Sequence, residues 1–343
     1  MSRSSRKLQH IQYAMETRIA SDSSLEAMKF VPNSLPNISY VNSMINTEIH
    51  KFKLNSPIII NAMTGGAEAT SEINRKLAII SREKQLAMAV GSQMAAIRDK
   101  TVRSTFSVVR DENPEGILFA NLGAEATTDQ AKEAVEMIEA NALQIHLNVM
   151  QELLMPEGDR YFSGYLSNIE KIISSISVPV IVKEVGFGMS RQTINQLASI
   201  GVAVIDVGGA GGTNFARVEN RRSENPLEMF NDWGFSTLQS LLEAKTADTA
   251  KTSIIATGGI RHGLDIAKVI ALGADAAGMA GYFLQLVQTK SVEECLDAVD
   301  QLHHQIRVAM VALGAVSLQD LREASYTFSS DIYNWAVQRG LNL

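Results

Sequence analysis

Eight short apolar runs alternate along the chain with segments whose apolar residues recur at helical spacing, and each run ends in polar or glycine-rich sequence. The runs lie at residues 57–61, 86–91, 116–123, 142–149, 178–185, 202–207, 253–257 and 274–280. Continuous apolar stretches of this length suit strands buried on both faces. Between them, residues 67–85, 100–112, 129–140, 168–176, 190–200, 237–247 and 264–272 read as helices. Ile73, Leu77 and Ile80 share one face of the first, and Ala134, Val135 and Ile138 one face of the third. Ser190 is placed to cap the fifth helix and Gly201 to end it. Pro179 stands at a strand start, where a missing N–H is tolerated. Such alternation asks for parallel strands joined by right-handed crossovers. Eight units predict an α/β fold closed as a (β/α)8 TIM barrel rather than an open sheet.

Residues 1–55 lack strong periodicity and contain Pro32 and Pro36, so they read as an N-terminal extension, or arm, packing on the barrel. Residues 56–343 then form the barrel itself, with a long loop after strand six (208–235) and C-terminal helices from Val292 onward.

Hydrophobic residues make up 45% of the 343 and charged residues 20%, which supports a sizeable buried core. The net charge of −6 is spread without long blocks. A nucleic-acid surface, which needs a strongly basic patch, is therefore not expected, whereas a small anion held by a few local cations is compatible. The apolar stretch 269–287 is broken by Gly273, Asp275 and Gly278, and the basic N-terminus has no apolar run behind it. Neither a membrane span nor a secretory signal is expected, which points to a cytoplasmic protein. The single cysteine, Cys295, excludes an intrachain disulfide and reads as a helix residue rather than a nucleophile.

Parallel barrels gather their chemistry at the C-terminal mouth. After strand seven comes Thr257-Gly258-Gly259-Ile260-Arg261, and after strand eight Met279-Ala280-Gly281. Glycines there let main-chain N–H groups approach an anion, so these tips predict a phosphate cup. Lys183 is the charged residue at the end of strand five; it could form a Schiff base, hold negative charge on a substrate or reduced flavin, or pair with Glu184. His146 and Asn148 are two apart and share a face of strand four, with Gln151 and Glu152 in the loop beyond. One carboxylate among amides suits Mg²⁺, with Glu152 as its ligand.

The glycines from Gly208 to Gly212, then Thr213, do not open a helix directly, so they are not a dinucleotide fingerprint. With Arg217, Glu219, Arg221 and Arg222 they read as a charged, glycine-hinged lid, in which Glu219 is an acid/base candidate. Arg3, Arg6, Lys7 and His10 give the arm a cationic head that could close over an anion.

Taken in order, these motifs resemble the type 2, FMN-dependent isopentenyl-diphosphate delta-isomerases nearly end to end. The likeness is carried by Arg6-Lys7-Leu8-Gln9-His10, Asn61-Ala62-Met63-Thr64-Gly65-Gly66, Gly91-Ser92-Gln93, Asn121-Leu122-Gly123 and His146-Leu147-Asn148. It continues through Gln151-Glu152, Val182-Lys183-Glu184-Val185-Gly186, Gly211-Gly212-Thr213 and Thr257-Gly258-Gly259-Ile260-Arg261. The resemblance implies FMN across the mouth, its phosphate held by Gly258, Gly259, Ile260, Arg261, Ala280 and Gly281 with Thr213 nearby. Its ring would meet Ala62, Met63, Thr64, Ser92, Asn121 and Lys183. Arg6, Lys7, His10, Ser92, Gln93, His146, Asn148 and Gln151 would hold a diphosphate substrate, with Mg²⁺ on Glu152. Many relatives have Arg after Gly-Ser-Gln; Met94 stands there in this chain, a departure from the pattern, and Arg98, four residues on, is the candidate cation to substitute at the substrate.

The activity implied is an allylic proton shift between isopentenyl and dimethylallyl diphosphate. It would need reduced FMN, obtained with NADPH, and Gln151, Lys183, His146 and Glu219 would serve the chemistry. A homotetramer or homo-octamer is implied too. Rival readings are a hydroxy-acid oxidoreductase with Arg261 and His262 as its Arg/His pair, a nucleotide dehydrogenase, and a non-catalytic flavin- or phosphate-binding sensor. The nucleotide dehydrogenase would need a cysteine in the loop 208–235, which has none.

Overall fold

A computed structural model of the chain describes residues 23–249 and 251–341. Eight parallel strands close into a barrel. They are β1 (Ile58–Ile60), β2 (Ala87–Ala89), β3 (Leu118–Gly123), β4 (Ala142–Leu147), β5 (Val180–Glu184), β6 (Val204–Asp206), β7 (Ser253–Thr257) and β8 (Ala276–Met279). β8 closes on β1, with Gly278 opposite Ile59. The strand order follows the sequence, as right-handed crossovers demand. Helices Glu68–Lys84, Ser104–Glu112, Thr128–Met137, Tyr165–Ser175, Arg191–Ser199, Thr237–Lys245 and Gly263–Ala271 occupy the expected intervals. Ser190 caps its helix by accepting from the Thr193 N–H, and Gly201 takes the left-handed conformation (φ 86°) beyond it.

Side chains alternate along each strand, and the inward set changes character with height. The lower layer is apolar: Ile59, Ala87, Phe119, Ala142, Ile181, Val204, Ile255 and Ala276 form one buried cluster. One pleat higher, toward the mouth, the same strands carry Asn61, Asn121, Gln144, Lys183, Asp206 and Thr257, all buried. The barrel thus has a dry floor and a polar layer directly beneath its mouth.

The extension is more structured than its weak periodicity suggests. Strands Thr47–Ile49 and Phe52–Leu54 form a hairpin whose Ile49, Phe52 and Leu54 join the apolar lower layer. The Phe52 and Phe119 rings stand 5.9 Å apart. Strand Met28–Phe30 pairs with Tyr326–Phe328 near the end of the chain. Each of these strands has three residues, too short for alternation to register in a window of sequence.

Short helices were missed for the same reason. Gln151 and Glu152, expected in a loop, belong to helix Val149–Leu154. The segment expected as a charged, glycine-hinged lid carries helix Phe215–Arg222, which buries Glu219 completely. Leu154, Phe187 and Ala216 pack together and hold that helix down. Helix Met94–Arg98 follows β2 and helix Gly281–Thr289 follows β8. Cys295 is buried in helix Val292–Leu313, where burial raises its thiol pKa, away from thiolate reactivity.

Candidate active site

A cavity of about 450 Å³ opens at the C-terminal mouth. It brings together Ala62, Met63, Thr64, Ser92, Met94, Arg98, Asn121, His146, Asn148, Gln151, Glu152, Lys183 and Thr213, residues from distant parts of the sequence. Gly258, Gly259, Ile260, Arg261, Ala280 and Gly281 complete one side of it. Arg6, Lys7 and His10 lie outside the described residues. Gln93 departs from expectation. It is fully buried behind the wall, donating to the Ala134 carbonyl at 2.9 Å while its Oε1 accepts from the Asn121 N–H. The glutamine therefore braces Asn121 and does not face the cavity.

The glycine tips make a cradle that side chains would fill. Gly258 sits at φ 118°, and a Cβ there would fall 1.9 Å from the Gly209 carbonyl oxygen. Gly259 (φ 68°) and Gly211 (φ 131°) approach each other closely enough that a Cβ on Gly259 would lie 2.9 Å from Gly211 main-chain atoms. Helix Gly281–Thr289 begins at this cradle, so the positive end of its dipole adds to the anion site. The structure fits a phosphate here.

Lys183 does not pair with Glu184 through side chains. Its Nζ donates to the Glu184 main-chain oxygen at 2.7 Å and lies 3.8 Å from Asp206 Oδ2. The Glu184 carboxylate instead turns to the loop, accepting the N–H groups of Gly186, Phe187 and Gly188. Asp206 accepts from Asn61 Nδ2 (2.6 Å), Thr257 Oγ1 (2.9 Å) and the Gly208 N–H (3.2 Å). Sequence reasoning missed Asp206, although it is the one charged residue of its run and faces inward like Lys183.

His146 stands opposite Lys183 in register, its Nδ1 3.0 Å from Asn121 Oδ1. Burial, reinforced by the Lys183 ammonium, lowers its pKa to about 4, so the ring is neutral. Beyond it, Asn148 Nδ2 donates to Glu152 Oε1 at 2.8 Å, and Glu152 Oε2 accepts the Asp159 N–H. Gln151 Nε2 donates to Glu219 Oε1 at 2.9 Å, and Arg222 holds the other Glu219 oxygen while reaching Glu157 at 2.6 Å. Glu219 thus reaches the cavity through Gln151 and does not line it. Glu125, which sequence reasoning passed over, lines the rim. His262 does not join Arg261 in the cavity: it caps helix Gly263–Ala271, accepting the Asp265 N–H at Nδ1.

A barrel with a phosphate cradle after its last two strands and a lysine facing a buried carboxylate is a phosphate-binding (β/α)8 barrel, a class that includes the flavin barrels. Comparison with known proteins agrees: the FMN-dependent dehydrogenase family model matches residues 78–327. Mandelate oxidase, solved with (S)-mandelic acid bound, superposes with a TM-score of 0.65, at 14% identity over 94% of both chains. That likeness shows the shared fold. Sequence relatives are much nearer. Isopentenyl-diphosphate delta-isomerase of Bacillus cytotoxicus is 51% identical over all of this chain and 98% of its own length. The enzyme of the same name from a Geobacillus species is 48% identical over the same shares. The chain belongs to the FMN-dependent dehydrogenase family and, within it, to the isopentenyl-diphosphate delta-isomerases.

Proposed function

We propose that this protein interconverts isopentenyl diphosphate and dimethylallyl diphosphate, moving an allylic proton with no net redox change, in isoprenoid biosynthesis. Reduced FMN and Mg²⁺ are its working partners and NADPH the reductant. The observation that carries the reading is full-length identity of 51% to an enzyme of that name, over a cavity with two polar ends. One end is the glycine cradle, which fits the phosphate of FMN; the other is the Asn148, Gln151 and Glu152 group, which fits a second anion with its metal.

Bound and reduced FMN supplies an electron-rich ring beside which the allylic proton moves. The protein's own residues do the rest. Lys183, fixed by Asp206 and the Glu184 carbonyl, offers a preorganised cation to negative charge at the mouth. Neutral His146 presents an imidazole able to accept a proton or a hydrogen bond. Glu219, a buried carboxylate, is connected to the cavity by the Gln151 amide. Among the described residues no three His, Cys, Asp or Glu side chains gather as a metal cage. One carboxylate, Glu152, with substrate phosphate oxygens and waters is the ordinary environment of Mg²⁺.

Among the described residues no helix is long and apolar enough to cross a membrane. A cytoplasmic homotetramer or homo-octamer completes the proposal; exposed Leu35, Val41 and Tyr161 offer apolar surface for assembly.

The test is an anaerobic assay with isopentenyl diphosphate, Mg²⁺ and FMN, with and without NADPH. Conversion that requires NADPH yet consumes none stoichiometrically supports the reading. Flavin that binds and reduces without conversion overturns it in favour of hydroxy-acid oxidation.

A further inference from the structure

The polar layer beneath the mouth is a single directed chain. Asn61 Nδ2 donates to Asp206, Gln144 Nε2 to Asn61 Oδ1 (3.1 Å), and Asn121 Nδ2 to Gln144 Oε1 (2.8 Å). Asn121 Oδ1 then meets His146 Nδ1 at 3.0 Å. Asn61 and Gln144 are at most 2% exposed and line no part of the cavity, so water does not replace a missing partner there.

The direction of the chain is set by a group that cannot reverse. The Ala62 main-chain N–H, a donor only, points at Asn61 Oδ1 at 2.8 Å. Asn61 must therefore turn its NH₂ to Asp206, and Gln144 must offer its own NH₂ to Asn61. That leaves Gln144 Oε1 for the Asn121 NH₂ and Asn121 Oδ1 for His146. Flipping any one amide would set two acceptors or two donors face to face inside a buried layer.

We propose that Gln144 and Asn61 are positioning residues that fix His146 as its Nδ1–H tautomer, leaving Nε2 bare as the proton acceptor of the ring. The use made of that Nε2 rests on the isomerase reading; the tautomer does not. Gln144, one pleat below the ring on the same strand, and Asn61, beyond the end of β1, then act on the chemistry through Asn121. A wrong tautomer would present a donor where an acceptor is needed.

The experiment is long-range ¹H–¹⁵N correlation on FMN-loaded protein labelled with ¹⁵N-histidine, at neutral pH. The chain has 6 histidines, and the His146 signals are assigned by their loss in His146→Gln. The expected wild-type pattern is one protonated Nδ1 and one bare Nε2. In Gln144→Met, which keeps the volume and removes both amide bonds, the two nitrogens should average toward a tautomer mixture; Asn61→Ala should shift them the same way. In both variants kcat should fall about tenfold or more while KM and FMN affinity stay within about twofold. A protonated Nε2 in the wild type overturns the proposal without any variant, and so does an unchanged tautomer in folded Gln144→Met. An Nδ1–H pattern in a protein that isomerises nothing would sink the isomerase reading and leave the tautomer assignment standing.

Discussion

Lys183 and Asp206 reach toward each other from neighbouring strands β5 and β6, their charged atoms 3.8 Å apart, with Asp206 fully buried and Lys183 at the cavity wall. Asp206 also serves three donors, so its loss strands a buried ammonium and frees Asn61, Thr257 and Gly208 at once. Breaking a buried pair from one side costs about 3–5 kcal/mol, and Asp206→Ala should lie in that range by urea unfolding. Asp206→Asn, which keeps an acceptor, should cost less.

Lys183→Ala removes the cation from the mouth. Isomerisation should fall about 10²–10³-fold, the usual cost of losing one preorganised electrostatic contact. Activity and flavin content are to be measured on the same sample. Full activity with a normal flavin load would remove Lys183 from the account.

Two buried groups pull stability in opposite directions with pH. His146 is held neutral down to about 4 by burial and the Lys183 ammonium. An unfolded histidine takes its proton near about pH 6.5. From there down to about 4 the unfolded chain binds more protons, so this site loses stability on acidification. Burial pushes Glu184 up to about 7 despite its N–H donors and Lys183. An unfolded glutamate releases its proton near about pH 4.3. Between those values the folded chain holds the extra proton, and stability from this site is lost as pH rises. In urea titrations across that window, His146→Gln should gain stability relative to wild type on acidification, and Glu184→Gln should lose it. Three parallel profiles would contradict both assignments.

Gly258→Ala places a methyl group against the Gly209 carbonyl at a φ of 118°. Left-handed backbone alone costs a residue with a side chain about 1–2 kcal/mol. The variant should therefore be less stable and should bind FMN weakly, which quenching of flavin fluorescence would report. Wild-type FMN affinity would place the phosphate elsewhere.

Glu152→Gln should raise the Mg²⁺ needed for half-maximal activity about tenfold or more while leaving the absorbance of bound flavin unaltered. An identical Mg²⁺ dependence would move the metal off this carboxylate.

The barrel was legible because its eight runs are continuous and apolar, a pattern that sequence displays directly. The hairpin Thr47–Leu54 was not, since its three-residue strands draw their stability from the barrel floor and not from their own pattern. Within the site, residues at strand tips could be read from position alone. Gln93 could not: it sits in a tip motif, yet its side chain turns backward to the Ala134 carbonyl. Asp206 and Gln144 were available to the same inward-facing argument that marked Lys183 and His146. Each lies two residues from a position already identified as inward, or beside one in register, and only the assembled barrel shows them joined.

The floor hairpin also bears on traffic. With Ile49, Phe52 and Leu54 stoppering the lower end, the barrel is, among the described residues, a vessel with one doorway. Whatever enters at the glycine-tipped face departs by that same face. A product would leave by the way its substrate came in.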